Sequence, residues 1–341
     1  MSSHTSSSSD APGAHPAPSR LPFAIALATA VATFALLLLG STVHVTGSSL
    51  ACPDWPLCYG QVMPEMKGGV AIEHSHRLLA SAVGLLTIAL TVVLFARRSA
   101  SRWLSLGALV LVIGQGVLGG LTVLYLLPTA ISSAHLATSM VYFSLLVWIT
   151  LRVRREGRVA RAVQTAIATP LPSAWPVLAA AGFVWVQMIL GALVRHTGAA
   201  LACADELPLC RSFGWPTLWP AEGPGQLHMT HRIVGTVVGT AVVVLCAWIV
   251  ARARKQGDRA LVAAAAAPLV LVLVQIGLGV GNVLLYSGPV IATAHLGGGA
   301  LLLVSLVSLA FGLAARRATI ATPASSRTAD APELRPDRVA A

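Results

Sequence analysis

The stretch Thr46-Gly-Ser-Ser-Leu-Ala-Cys52-Pro-Asp-Trp-Pro-Leu-Cys58 returns further along the chain as Thr197-Gly-Ala-Ala-Leu-Ala-Cys203-Ala-Asp-Glu-Leu-Pro-Leu-Cys210. Around it, Glu73-His-Ser-His76-Arg77 returns as His228-Met-Thr-His231-Arg232, and Gln115-Gly-Val-Leu-Gly as Gln275-Ile-Gly-Leu-Gly. Ser133-Ala-His135-Leu returns as Thr293-Ala-His295-Leu. The offset between the copies grows only from 151 to 160 residues, so order is kept with small insertions. Self-similarity of this kind defines the unit of the architecture. The chain is read as two halves, 21–160 and 173–317, joined by a linker at 161–172.

Composition says what each half is made of. Hydrophobic residues make up 56% of the 341 residues and charged residues 10%, against about a quarter charged in soluble domains. Eight windows hold the roughly 20 apolar residues a helix needs to cross a bilayer. They lie near 22–45, 73–96, 103–126, 131–151, 174–195, 228–251, 262–284 and 291–314. Backbone groups in lipid must be satisfied within the segment, which selects helices, and the ten-residue alternation of a membrane barrel is absent. The expected fold is an all-α integral membrane protein of eight transmembrane helices, as two four-helix bundles. An even number of helices per half makes this a parallel repeat about an axis along the membrane normal. Gly116 and Gly120, and Gly277 and Gly281, allow close helix contacts within each bundle.

Charge placement sets the topology. Of 23 Lys and Arg residues, eighteen lie in the tails or in alternate loops, for example Arg97, Arg98, Arg152, Arg154, Arg252 and Lys255. The remaining five are Lys67, Arg77, Arg195, Arg211 and Arg232. This positive-inside pattern places both termini in the cytoplasm and the cysteine loops outside, in a multi-pass plasma-membrane protein. It also accounts for the net charge of +11 without a nucleic-acid partner. Residues 1–20 and 318–341 lack apolar periodicity and are expected to be disordered cytoplasmic tails. The first apolar run is longer than the core of a signal peptide and is needed by the repeat, so it is retained as a helix.

Four of the five cysteines sit in the two long outer loops, where disulfides persist. Cys52–Cys58 and Cys203–Cys210 are the expected bridges. A zinc site shared by all four is the alternative, but the spacings are wider than the usual two to four residues. Whether the first bridge is a staple or a thiol relay stays open. Cys246 lies mid-helix as a small buried hydrophobe.

His76 lies about three residues into the second apolar window and His135 about four into the fourth. Both would sit roughly 5–6 Å below their helix starts, at 1.5 Å per residue. His231 and His295 repeat the arrangement. One intramembrane histidine is most simply a hydrogen-bonding partner of a neighbouring helix. Four, in depth-matched pairs that follow the repeat, point to function. Two imidazoles from facing helices can ligate a haem iron axially, whereas a bare metal ion would want further strong ligands. Glu73 shares a helix turn with His76 and Arg77. It is either a carboxylate favoured by the helix N-terminus and paired with Arg77, or a proton donor or acceptor beside a haem. The second half has His228 at this position, which suggests one reactive site and one electron-transfer or structural site. Arg77 and Arg232 are candidate contacts for haem propionates. His44, His74, His196 and His228 read as solvated or interfacial.

Together these motifs resemble the haem A synthases, integral membrane enzymes of cytochrome oxidase biogenesis, from about residue 22 to 315. The resemblance rests on the Thr-Gly-x-x-Leu-x-Cys-Pro-Asp-Trp-Pro-Leu-Cys loop ending at Cys58, on Glu73-x-x-His76-Arg77, on the other three histidines and on the repeat. It implies an oxidoreductase that oxidises a methyl group of haem O to the formyl group of haem A by successive hydroxylations. It implies haem O held by His76 and His135, Glu73 required for catalysis, and a haem b cofactor held by His231 and His295. Cys52 and Cys58, and Cys203 and Cys210, match the family's two outer-loop pairs. Expected partners are an electron donor, the haem O synthase and oxidase assembly factors. One departure is His44, where many members carry arginine or lysine. The rival reading is a non-catalytic dihaem electron carrier of the cytochrome b kind, which needs both histidine pairs but neither Glu73 nor the cysteines. A transporter fits the repeat but would want a midplane charge or a broken helix.

Overall fold

Each apolar window forms one continuous helix. In chain order these are α1 (Leu21–Val45), α2 (Gly68–Ala96), α3 (Arg102–Leu124), α4 (Thr129–Val159), α5 (Trp175–His196), α6 (Gly223–Lys255), α7 (Arg259–Leu284) and α8 (Pro289–Ile320). The computed structural model describes residues 20–159, 172–203, 206–212, 215–221, 223–286 and 288–320. Even the shortest helix, α5 with 22 residues, spans about 33 Å at 1.5 Å per residue, enough for a hydrocarbon core of about 30 Å. All eight are long and apolar enough to cross a membrane. Among the described residues, the only strands are β1 (Cys210–Ser212) and β2 (Trp215–Thr217), an antiparallel pair in the second cysteine loop. The expected tails 1–20 and 318–341 and the linker 161–172 lie almost wholly outside the described residues. Where they are described, α8 runs on to Ile320, three residues into the expected tail.

Two rings of four helices result. α1 packs on α2, α2 on α3, α3 on α4 and α4 back on α1; α5 to α8 repeat the same ring. The rings meet along a seam of α1 and α4 against α5 and α8. Across it, Trp185 Nε1 donates to the Ala137 carbonyl at 2.9 Å, and the Ser133 hydroxyl lies 2.9 Å from His196 Nδ1. The end opposite the cysteine loops is braced alike in both rings. In the first, Ser99 and Ser101 donate to Glu156. In the second, Asp258 caps α7 through the Leu261 N–H and pairs with Arg316.

The interior is sealed unevenly. Fully buried Leu90, Leu94, Leu146, Ile149, Ile249, Leu306, Leu309 and Leu313 all lie in the half of their helices remote from the cysteine loops. Such close packing leaves no room for a large ligand there. The four membrane histidines lie at the other end.

Two helices begin well before their apolar windows. α2 and α6 begin at Gly68 and Gly223, five residues before the windows at 73 and 228. Hydropathy marks only residues that lipid accepts, while backbone hydrogen bonding continues into the interface. His76 and His231 therefore lie eight residues after their helix starts, about 12 Å along the axis, and not 5–6 Å. His135 and His295 lie six residues after theirs, about 9 Å. The values match between the halves.

Candidate functional site

Each of the four histidines is seated on a glycine of the neighbouring helix. A methyl group built on Gly40 of α1 would lie 3.0 Å from His76 Nε2, and one on Gly119 of α3 would lie 3.4 Å from His135 Cε1. In the second ring, Gly191 of α5 stands 3.0 Å from His231 Cε1 and Gly279 of α7 stands 3.2 Å from His295 Cε1, by the same construction. At Gly40, Gly191 and Gly279 even a methyl group would crowd the imidazole, and at Gly119 it would just touch it. The four seats follow the repeat, Gly40 with Gly191 and Gly119 with Gly279. His135 lies within electrostatic reach of His76, and His295 within that of His231. All four side chains are half-buried.

What surrounds the rings differs. In the second ring, Gln187 Nε2 of α5 donates to the His231 carbonyl at 2.8 Å and lies 2.9 Å from its Nδ1. Gln275 Nε2 of α7 donates to the His295 carbonyl at 2.9 Å and lies 3.3 Å from its Nδ1. Gly235 and Gly298 leave the room these amides occupy. In the first ring, Leu36 stands where Gln187 would be. Gln115 bonds Thr138, the counterpart of Gly298. His135 Nδ1 is buried without a hydrogen-bond partner. These glutamines and glycines are the residues that sequence reasoning missed. Gln115 and Gln275 stood inside a quoted repeat, but nothing local tied them to a histidine 20 or more residues away.

Glu73 joins the first cysteine loop to α2. It is 3% exposed; Oε2 accepts from the Cys52 N–H at 2.8 Å and Oε1 from Arg77 at 2.7 Å. Arg77 also donates to the carbonyls of Asp54, Leu57 and Cys52. Arg232 repeats the clasp on the carbonyls of Glu206 and Cys203. Both guanidiniums thus hold their loops. Cys52–Cys58 and Cys203–Cys210 are separate disulfides, as expected, and Cys246 is free and buried. The four loop cysteines form no shared zinc site. The first loop also reaches downward: a methyl group on Gly120 would lie 2.8 Å from the Trp55 indole.

Two of the histidines read as solvated or interfacial are not. His74 and His228 are 4% and 5% exposed, because α2 and α6 start a turn earlier than hydropathy suggests and fold these positions under the loops. His44 and His196 meet edge to face at 4.9 Å between ring centroids, at the seam of the two rings.

A family model described as "Cytochrome oxidase assembly protein" matches residues 24–73 and 65–307. The chain is 31% identical over 284 residues to a protein named Heme A synthase from Shouchella clausii, covering 82% of this chain and 91% of that one. It is 31% identical over 233 residues to one of the same name from Alkalihalophilus pseudofirmus, covering 66% and 75%. A third, from Shewanella oneidensis, is 28% identical over 324 residues, covering 84% and 94%.

Proposed function

The chain belongs to the cytochrome oxidase assembly protein family, and on that footing we propose that it is a haem A synthase, oxidising the methyl group of haem O to the formyl group of haem A through successive hydroxylations. The observation that carries this reading at the level of the site is the set of four glycine-seated histidines in two matched pairs. The residues present fit haem. Glycine seats would let a flat macrocycle approach closely between helices, and imidazole nitrogen is a donor that would hold haem iron.

The two sites divide the work. His231 and His295 hold haem b. A ligand imidazole binding iron through Nε2 carries its proton on Nδ1 and is oriented by an acceptor there. Here the Nδ1 side of each ring is held by the amide of Gln187 or Gln275, which fixes the ring's orientation from a neighbouring helix. His76 and His135 hold haem O, which must leave after reaction. His135 has no such brace, and the looser grip suits exchange.

When bound, haem iron supplies the oxidising chemistry that no side chain can. The chain's own residues bind, orient and move protons. Glu73 stands one turn from His76 and acts on the reacting edge of haem O, by proton transfer or by stabilising positive charge as it develops. Arg77 keeps Glu73 aimed. The protein sits in the plasma membrane with both termini cytoplasmic and both cysteine loops outside. Its electrons come from a separate donor, with haem O synthase and oxidase assembly factors as neighbours in the pathway.

The test is to express the chain with a haem O source and separate the extracted haems by chromatography. Wild type yields haem A; Glu73→Ala and His76→Ala yield haem O while keeping the haem b spectrum. A wild-type profile without haem A would return the chain to the class of dihaem electron carriers.

A further inference from the structure

Beneath the first cysteine loop lies an imidazole with nothing to bond. His74 is 4% exposed, and both of its ring nitrogens are buried without a hydrogen-bond partner. A neutral imidazole always presents one donor and one acceptor, and a buried ring normally satisfies at least one of them. Glu73 does not bond it: its two oxygens accept from the Cys52 N–H and Arg77. What the ring does face is sulfur. One ring nitrogen of His74 and the Sγ atoms of Cys52 and Cys58 all lie within 4.8 Å of one another.

The second half provides the control. Its counterpart of His74 is Met229, 1% exposed and packed on Cys203 and Cys210. An apolar side chain therefore fills this position adequately, and packing alone does not call for histidine. We propose that Cys52, Cys58 and His74 form a binding site for one copper(I) ion, opened when the Cys52–Cys58 disulfide is reduced. The inference stands apart from the haem A synthase reading and does not need it.

The chemistry balances as follows. A dithiol reductant gives up two electrons and becomes a disulfide; the Cys52–Cys58 bond breaks and two S–H groups form. Copper(I) then displaces the two thiol protons to solvent and stays copper(I). Thiolate and imidazole are soft or borderline donors, which select copper(I) or zinc over calcium and magnesium. Structural zinc takes four ligands, while three converge here, which suits three-coordinate copper(I). Metal–sulfur and metal–nitrogen bonds of about 2.3 and 2.0 Å put trigonal ligands roughly 3.7–4.0 Å apart. The nitrogen need move only by a fraction of an ångström to about one, and the freed sulfurs can part to that distance. Because the Cys52 N–H donates to Glu73, loading the site would be felt one turn from His76.

The test uses the full chain in detergent with its haems bound, reduced by dithiothreitol and desalted without oxygen. Copper(I) is offered as its bicinchoninate complex, whose colour fades as the protein takes the metal. Cys203→Ser/Cys210→Ser, which removes the second reducible pair, should withdraw one equivalent when reduced and none when oxidised. His74→Leu, which keeps an apolar side chain there but offers no donor atom, should weaken uptake at least tenfold, with two sulfurs and one nitrogen seen by X-ray absorption only when His74 is present. In the Cys203→Ser/Cys210→Ser background, equal uptake with and without His74→Leu overturns the proposal, as does uptake that survives Cys52→Ser/Cys58→Ser. No uptake by the reduced wild type overturns it as well.

Discussion

In the second ring, Gln187 and Gln275 each reach from a neighbouring helix to a histidine. In the first ring the same positions are Leu36, which has nothing to donate, and Gln115, which turns to Thr138. Above the first ring, Glu73 ties a disulfide loop to the helix of His76; above the second, His228 occupies that place. The scaffold was duplicated and its chemistry was not. A resident cofactor benefits from ligands locked in one orientation, whereas a substrate must be gripped and released. The difference lies in what braces the imidazoles, and the imidazoles themselves are the same.

That comparison can be broken outright by removing one ligand from each ring. His231→Ala is expected to abolish the haem b absorption spectrum, whereas His76→Ala keeps it. Loss of that spectrum in both variants would mean the rings do not divide into substrate and cofactor sites. A nearly equal effect is expected from the glycine seats. Gly191→Val drives a side chain into the His231 ring and should expel most of the haem b. Gly40→Val should spare haem b and block product formation. Gly182, with nothing within 4 Å of an added methyl, is the neutral control in the same helix as Gly191.

A smaller change sharpens the comparison. Gln187→Leu with Gln275→Leu copies the first ring's lack of braces. Outer-shell partners of metal ligands are typically worth 10–100-fold in affinity. Haem b should then be lost to an apomyoglobin acceptor that much faster, with altered electron-paramagnetic-resonance g values. Unchanged release would show that the glutamines merely fill space. The smallest effect concerns the first loop's own turn. Hydrogen bonds from the Gly60 and Tyr59 N–H groups hold the half-buried Asp54 carboxyl below its ordinary value of 3.8. A depressed carboxylate contributes stability that is present above the unfolded value and lost as pH falls through the folded one. Hydrogen exchange at Gly60 should therefore be protected near neutral pH and lose part of that protection below about pH 4. Asp54→Asn should flatten the dependence.

Much of this was open to reading in the residues. Eight helices and the two disulfides follow from local composition and spacing. The lengths of α2 and α6 were misjudged, because Gly68–Ile72 and Gly223–Leu227 are helical without being uniformly apolar. That error carried His74 and His228 to the surface when both are buried. The glycine seats were out of reach for another reason. Glycines are scattered through every membrane helix here, and Gly40 looks no different from Gly182 until a histidine 36 residues later is found lying on it.

What the sequence determined by itself is what one segment decides alone. A run of about 20 apolar residues must become a helix, because lipid offers no partner to an unpaired backbone group. A histidine in such a run needs a reason to be there. Which helices face one another was settled only by the tertiary structure. It brought Gly191 under His231, Gln275 against His295 and His74 against the Cys52–Cys58 sulfurs. Those pairings join different helices, or a loop to a helix. They depend on how the two rings close and on how the loops fold back, and no local pattern encodes them.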